Sequence, residues 1–326
     1  MIIVQTPLRV SLFGGGTDFR SFFEAEGGAV LTTAIDKYIF VTIKKRFDQK
    51  LRIGYTKQEV VDSVNEIQHD LIRQALCKTG ILEGVEITTM GDIPAAGSGL
   101  GSSSTVTVGS LHAMYAYLGQ LVTAEQLARE ACAIEIEELG RPIGIQDQYI
   151  AAYGGLRLME FSTSGQVTSE QLVLNENHMR TLNENLLLFF TGITRKASSV
   201  LTEQSDTIIQ HSVVLRKLKA MAYTARDELK AGNVDVIGEM LHESWQFKKR
   251  LASNVSNADI DQMYQAARQA GATGGKISGA GGGGFLLLYC RHERQEAVRA
   301  ALSSLQELPF RVENDGSKVI FNYRRV

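Results

Sequence analysis

The chain has 326 residues, of which 44% are hydrophobic and 21% are charged, and its net charge is −2 at pH 7. The length suits two domains, and the near-neutral charge argues against a general binder of nucleic acid or membrane surfaces. The cysteines Cys77, Cys132 and Cys290 are odd in number, widely spaced and without a CxxC pair, which indicates reduced thiols in a cytoplasmic protein. We also expect no secretory signal and no membrane span, because no apolar run approaches the ~20 residues required.

The first half of the chain mixes strand and helix patterns. Strands rich in Val, Ile and Thr are predicted over residues 2–13 (interrupted at Pro7), 29–36, 38–45, 85–90 and 156–161. Helices are predicted over residues 65–78, 102–118, 123–139 and 145–152. Thr123, with Gln126 three residues later, has the spacing of a helix N-cap.

The second half is richer in helix. Strands are predicted over 186–191 and 285–289, helices over about 194–205, 210–231, 233–251 and 256–270, and a last helix with one or two strands closes the chain. Because strands and helices do not alternate strictly, we predict an α+β fold with two lobes, divided near residue 185 into 1–185 and 186–326.

Three segments are rich in glycine and small residues: Pro7–Asp18 (PLRVSLFGGGTD), Gly91–Ser104 (GDIPAAGSGLGSSS) and Lys276–Phe285 (KISGAGGGGF). Glycine allows backbone to approach a ligand closely. The second segment follows a strand and opens a helix, so its N–H groups are suited to binding phosphate. It has no lysine for a P-loop and ends in serine where a dinucleotide motif needs glycine. Plain tight turns remain the alternative.

Two acidic residues are candidates for chemistry. Projected at 100° per residue, Glu135 lies near the middle of the apolar face of the helix over 124–139, whereas Glu137 lies opposite. A lone buried carboxylate is costly. Glu135 is therefore either a Mg²⁺ ligand, since hard cations prefer carboxylate and hydroxyl oxygens, or a core glutamate paired with an arginine. Asp147 lies near a helix start, where an aspartate by itself is typical of a cap.

The three glycine-rich segments, in this order, resemble the three motifs of the GHMP kinases, a superfamily that includes galactokinase, homoserine kinase and mevalonate kinase. GDIPAAGSGLGSSS resembles the second motif, PxxxGLGSS, which wraps the phosphates of ATP. The resemblance runs from residue 7 to beyond residue 285. It implies an N-terminal lobe like domain 2 of ribosomal protein S5 and a ferredoxin-like C-terminal lobe.

Within the superfamily, GGGTD, GIQDQYIAAYGG, FFTGITRKAS and KISGAGGGGF are most similar to the D-glycero-D-manno-heptose 7-phosphate kinases, followed by bacterial fucokinase domains. Galactokinases carry Glu-His where this chain has Gly15-Gly16, which argues against galactose. The resemblance implies a cytoplasmic enzyme that uses ATP and Mg²⁺ to phosphorylate the C1 hydroxyl of the heptose 7-phosphate, giving the 1,7-bisphosphate for nucleotide-activated heptose synthesis.

The resemblance also implies residue roles. Asp147 would be the catalytic base beside Arg9, and Glu135 would hold the metal with Ser103 or its neighbour Ser102. The ATP phosphates would be bound by Pro94, Gly97, Ser98, Gly99, Leu100, Gly101, Ser102, Ser103 and Ser104. The substrate would be bound by Thr17, Asp18, Gly279, Ala280 and Gly281.

A phosphorylated substrate needs cations of its own, and Arg195, Lys196 and Lys276 are candidates. The alternative for Arg195-Lys196 is an exposed basic pair, which the helix dipole slightly disfavours at a helix start. Three other functions stay open: a fucokinase-like free-sugar 1-kinase, a non-catalytic binding protein of the same fold, and an ATP-using decarboxylase relative. The expected partner is a small sugar, without nucleic acid or membrane. The helical region 215–251 leaves a homodimer open, although a core role is favoured.

Overall fold

The computed structural model describes residues 1–93, 97–194, 200–203, 207–208 and 210–323. Strands β1 to β12 cover Ile2–Phe13, Gly28–Lys45, Leu51–Gly54, Gln58–Val61, Val85–Gly91, Leu156–Phe161, Val167–Gln171, Leu186–Phe190, Gly274–Ile277, Phe285–Tyr289, Gln306–Glu307 and Lys318–Asn322. Helices α1 to α10 cover Arg20–Glu26, Asp70–Thr79, Ser102–Leu118, Ala124–Cys132, Gln146–Tyr153, Glu176–Asn185, Ser212–Ala231, Val236–Lys248, Ala258–Ala270 and His292–Ala301. A 3-10 turn (Val64–Glu66) and a π turn (Ala133–Glu138) accompany them.

The first sheet is built around the long strands β1 and β2. Its strand order is β12-β1-β2-β5-β3-β4, and β6 pairs with β2 and with β7. One edge of β2 pairs with β1, while the other pairs with β6 over its first part and with β5 over its second. The predicted interruption at Pro7 is wrong, because β1 continues through it and only its register with β2 shifts, between Pro7 and Leu8. A bulge tolerates a residue without an N–H group. The predicted strands 29–36 and 38–45 are likewise one strand, β2, because the same register shift bulges β2 between Ile35 and Tyr38 without ending it.

The second sheet is smaller and antiparallel. Its strand order is β11-β8-β10-β9, and α8 packs against β9 and β10 while α9 packs against α10. The last strand, β12, returns to the first sheet and pairs with β1. The α+β class is thus confirmed. The boundary near residue 185 stays a prediction, to which the structure adds that residues 318–322 belong to the first sheet.

Two helices hold the sheets in place. Helix α3 packs against β1, β2 and α2, and most of its length is buried, so it shows little amphipathic periodicity. Helix α7 packs against β1, β2 and α8, and therefore links the first sheet to the helices of the second. The helices of region 215–251 contribute many core residues, including Leu215 and Trp245.

Helix and strand ends follow the local sequence where glycine or a cap is present. Helix α3 has the predicted bounds and ends at Gly119, whose φ is 79°. The Thr123 hydroxyl accepts a hydrogen bond from the Gln126 N–H at 3.1 Å, as predicted for a cap. The predicted helix over 123–139 is α4 followed by the π turn. Short elements such as α1, β3 and β7 were not predicted, and the predicted helix over 194–205 lies largely outside the described residues. Within the described ranges, no helix combines the length and apolarity of a membrane span.

Candidate active site

A cavity of about 770 Å³ lies where the three glycine-rich segments meet. Its walls include Arg9 of the first segment, Gly99 of the second and Gly279 of the third. Glu135 and Asp147 also line it. The structure therefore brings together, from distant parts of the chain, the main groups that the sequence singled out.

The second and third segments touch through their backbones. A side-chain carbon placed on Gly99 would lie 2.6 Å from the carbonyl oxygen of Ser278, and one on Gly279 would lie 2.7 Å from Gly99. A carbon on Gly284 would lie 2.5 Å from the oxygen of Ser98. Any side chain would thus push the two loops apart, which explains the glycines physically. The residues before α3 turn at Gly101, whose φ is 78°, so that the free N–H groups of the helix start beside this loop.

Arg9 and Asp147 form a bidentate ion pair at the edge of the second segment. Arg9 donates from Nε to Oδ1 and from Nη2 to Oδ2 of Asp147, both at 2.7 Å, and from Nη1 to the Gly99 carbonyl at 2.5 Å. The Arg9 side chain is 6% exposed and that of Asp147 is 22% exposed. A fork-to-carboxylate pair fixes both partners in one geometry. Asp147 is thus held against the loop but remains open to the cavity.

Asp18 is a buried carboxylate that lines the cavity. Its carboxylate accepts hydrogen bonds from the N–H of Gly16 at 2.9 Å and from Nε2 of Gln146 at 3.0 Å. Burial, with a smaller contribution from the negative charge of Asp147, raises the pKa of Asp18. Gly144 packs so closely that a side-chain carbon there would lie 2.0 Å from the Asp18 carboxylate.

Two polar atoms beside Asp18 have no partner within the described part of the chain. They are the hydroxyl oxygen of Ser11 and the side-chain oxygen of Gln146, both buried and both on residues that line the cavity. Both side chains face Gly15, since a side-chain carbon there would lie 3.5 Å from the Ser11 hydroxyl and 3.8 Å from Nε2 of Gln146. Buried polar groups are normally hydrogen-bonded. This pair is therefore suited to the hydroxyl groups of a bound ligand.

Glu135 is fully buried in the π turn. It accepts a hydrogen bond from Nε2 of Gln148 at 3.0 Å, and the Ser104 hydroxyl also bonds to it. Nη1 of Arg141 lies 3.5 Å from Oε2 of Glu135, which is a long hydrogen bond. Nη2 of Arg141 makes a shorter one, 2.9 Å, to Oδ2 of Asp70. Burial is the largest of the effects that together raise the pKa of Glu135 to about 7. The alternative, in which Glu135 is a core residue paired with an arginine, is therefore supported by only one long contact.

The oxygen donors around Glu135 fit a magnesium ion. Ser103 is exposed and lines the cavity, Ser104 touches Glu135, and Ser102 bonds to Ser98 at 2.9 Å. No group of three or more His, Cys, Asp or Glu side chains that could hold a metal occurs among the described residues. Mg²⁺ commonly binds one or two carboxylates and completes its shell with substrate phosphates and water, so Glu135 and the neighbouring serines are suited to it.

Three predicted residues lie away from the cavity wall. The Thr17 hydroxyl donates to the carbonyls of Gly14 at 2.8 Å and Ala29 at 2.9 Å, so it holds the turn rather than facing a ligand. Leu100 is fully buried and its carbonyl accepts from the Arg9 N–H. Gly281 packs on Val255.

Ala280, by contrast, lines the cavity. Pro94, Arg195 and Lys196 lie outside the described residues.

Two lysines line the same cavity: Lys276, which the sequence indicates as a candidate, and Lys248, which it does not. Lys248, at the end of α8, lines the cavity and donates to the carbonyl of Ile277 at 3.1 Å and to that of Gly279. Lys276 donates to the Leu12 carbonyl at 2.8 Å. Burial, with a smaller contribution from Arg9, lowers the pKa of Lys248 to about 7, and the pKa of Lys276 falls well below its usual value. Lys248 precedes Lys249 and Arg250, and such a run of basic residues is typical of a helix C-terminus.

Comparison with known proteins defines the class. The GHMP kinases N terminal domain matches residues 63–155, and the GHMP kinases C terminal domain matches residues 225–307. The chain is 30% identical to the D-glycero-alpha-D-manno-heptose 7-phosphate kinase of Campylobacter jejuni, over 96% of this chain and 97% of that protein. The chain belongs to the GHMP kinase family, and it is a sugar kinase of that family.

Two further proteins are similar to this chain over almost its whole length. A solved structure described as a D-glycero-D-manno-heptose 1-phosphate kinase from Bacteroides thetaiotaomicron is 28% identical, with a TM-score of 0.83, and covers 99% of this chain and 100% of its own. A bifunctional fucokinase/GDP-fucose pyrophosphorylase of Arabidopsis thaliana is 27% identical over 95% of this chain, which spans 32% of that longer protein.

Proposed function

We propose that this enzyme transfers the γ-phosphoryl group of ATP to the anomeric C1 hydroxyl of D-glycero-D-manno-heptose 7-phosphate, giving the 1,7-bisphosphate in the cytoplasm. The observation that carries the proposal is the Arg9–Asp147 pair, held at 2.7 Å beside the glycine loop that precedes α3. It sets a carboxylate next to the expected phosphates of the nucleotide. The identity to a heptose 7-phosphate kinase over almost the whole chain supports the choice of sugar.

In the proposed reaction, the C1 oxygen attacks the γ-phosphorus, and the bond from that phosphorus to the ADP oxygen breaks. The proton of the hydroxyl passes to Asp147, and ADP leaves with the electron pair of the broken bond. The transition state of such transfers is loose, so positioning and charge neutralisation provide most of the acceleration. Arg9 orients Asp147 through two hydrogen bonds and offsets negative charge nearby. An anomeric hydroxyl is more acidic than an ordinary alcohol, which suits a carboxylate base.

Glu135, with Ser103 or Ser104, would hold Mg²⁺, which neutralises charge on the phosphate oxygens. Asp18 would bind sugar hydroxyl groups, together with the oxygens of Ser11 and Gln146 that have no partner among the described residues. A site that hydrogen-bonds hydroxyls discriminates strongly against ligands that lack them, because its buried groups are then left unpaired. Lys276 supplies a cation at the same cavity for an acidic substrate.

A free-sugar 1-kinase is the second candidate, favoured by the likeness to the fucokinase part of the Arabidopsis protein. The discriminating experiment compares heptose 7-phosphate, the free heptose and L-fucose in an ATP-turnover assay, with NMR to locate the new phosphate on the product. Turnover of the heptose 7-phosphate with phosphate at C1 supports the proposal. Preference for a free sugar, or phosphate at another carbon, would contradict it.

Asp147→Asn tests the base assignment. We expect kcat to fall by about 10²–10⁴-fold, with ATP affinity almost unchanged. Asp227→Asn is the matched control, because Asp227 is exposed on α7 and bonds only to the neighbouring Arg226 within the described residues. Wild-type kcat in the Asp147 variant would show that the base is another group. The absence of turnover with every sugar in the wild type would favour a non-catalytic role.

A further inference from the structure

Lys248 is a buried cation without a charged hydrogen-bond partner in the described part of the chain. Its side chain reaches from the last turn of α8 to the carbonyls of Ile277 and Gly279, and both acceptors are neutral. An ammonium group has three donors, so these two bonds leave one donor available on a residue that lines the cavity. Buried charges are normally paired. An unpaired one inside a ligand cavity points to an anionic ligand.

The surrounding charges reinforce this imbalance. Arg9 and Lys276 lie near enough for their positive charges to act with Lys248, each disfavouring the charge of another. Asp18 is the acid that favours the charged form of Lys248. However, Asp18 is itself buried with a raised pKa, and it already accepts hydrogen bonds from Gly16 and Gln146. Asp18 makes no hydrogen bond with Lys248 among the described residues, so its carboxylate does not pair directly with this ammonium.

The contacts connect Lys248 to the junction of the second and third segments. It bonds to Gly279, and Gly279 packs directly against Gly99 of the second segment. Arg9, which bonds to the Gly99 carbonyl, also holds Asp147. Lys248 is thus connected through Gly279 and Gly99 to the Arg9–Asp147 pair, and both line the cavity in which the γ-phosphoryl group would pass from ATP to the sugar.

We propose that Lys248 is a catalytic residue whose ammonium binds the transferring γ-phosphoryl group opposite the Arg9–Asp147 pair. It remains protonated throughout: the phosphorus–oxygen bond to ADP breaks, the bond to the C1 oxygen forms, and the hydroxyl proton goes to Asp147. Its bonds to Ile277 and Gly279 hold the third segment in place at the same time. This inference rests on the proposed kinase function but does not depend on which sugar accepts the phosphate.

The test measures the affinities of MgATP and MgADP by calorimetry without any sugar. ADP lacks the γ-phosphoryl group, so a residue that contacts this group should affect only ATP. For Lys248→Met we expect ATP affinity to fall by about 10-fold or more and ADP affinity to change by less than about twofold. With the accepted sugar, kcat should fall by about 10²–10³-fold, as for the loss of one transition-state donor. Lys248→Arg keeps the charge and should retain a preference for ATP.

Lys249→Met is the matched control. Lys249 is the next residue, and its ammonium lies 3.4 Å from Asp261 rather than in the cavity, so this variant should behave as wild type. Equal loss of affinity for ATP and ADP in Lys248→Met would show that Lys248 only positions the loop. Unchanged affinities, with kcat within about threefold of wild type, would show that Lys248 has no role. Either result overturns the inference. If Lys248→Met fails to fold, Lys248→Gln, which keeps a hydrogen-bond donor but not the charge, decides by the same ATP-to-ADP comparison. A wild type that binds ATP but phosphorylates no sugar would refute the proposed function and leave this comparison intact.

Discussion

Gly99 offers a substitution that separates backbone strain from the contact between the two glycine loops. Its φ is +73°, and a side-chain carbon there would lie 2.6 Å from the Ser278 oxygen and 3.0 Å from the Ser278 carbonyl carbon. Gly140 has a similar φ of +63° but nothing within 4 Å of the same carbon. Gly99→Ala and Gly140→Ala therefore introduce the same strain, and only the first creates a collision.

The expected magnitudes follow from these geometries. A left-handed conformation costs an L-residue about 1–2 kcal/mol, so both variants should lose roughly that much free energy of unfolding. Gly99→Ala must in addition displace a backbone carbonyl, which cannot rotate away as a flexible side chain can. The loops of the second and third segments would then separate by a fraction of an ångström. Because a 1 Å misplacement can cost about 10²-fold in rate, we expect kcat/KM for ATP to fall by about 10–100-fold.

Urea unfolding gives the stability of each variant, and steady-state kinetics with varied ATP gives its activity. Gly140→Ala should keep wild-type kcat/KM despite its lower stability. If Gly99→Ala had the same activity as Gly140→Ala, contact between the loops would not position the ATP site. If Gly140→Ala lost activity equally, general loosening of the fold, rather than the collision, would explain both results.

Two further substitutions test the buried charges. Arg9→Lys keeps the positive charge but cannot form the two parallel bonds to Asp147; we expect kcat at saturating ATP to fall by at least about 10-fold, and an unchanged kcat would contradict the orienting role. The pKa of Glu135 is about 7 in the folded protein and 4.5 in the unfolded chain. Between these pH values the folded protein binds more protons than the unfolded chain. The stability that this group contributes is therefore lost as the pH rises from 4.5 to about 7. Glu135→Gln should therefore be more stable than wild type at pH 8 in EDTA, by at most about 1.4 kcal/mol for each pH unit crossed, and the difference should disappear near pH 4.5. A difference that does not change with pH in urea titrations would refute the burial argument.

Local sequence predicted the elements whose ends carry their own signals. Helix α3 begins and ends at glycines in left-handed conformations, and both bounds are as predicted. The cap at Thr123 is present. The burial of Glu135 was also predicted correctly, although the prediction assumed a continuous α-helix and the residue lies in a π turn. The long strand β2 was divided in two because a bulge leaves no clear mark in the alternation of side chains.

The family, the three glycine segments and the pair of acids can be recognised from the amino-acid sequence, because each depends on residue type and on spacing along the chain. Which of these groups share one cavity depends on how the chain packs. No local pattern separates Lys248 from the neighbouring Lys249 and Arg250, and only its bonds to the carbonyls of the third segment distinguish it. Ser11 and Gln146 likewise are candidates only because their side-chain oxygens are buried without a partner in the part of the chain that the structure describes. Burial and the lack of a partner are properties of the packed chain, and no local pattern encodes them.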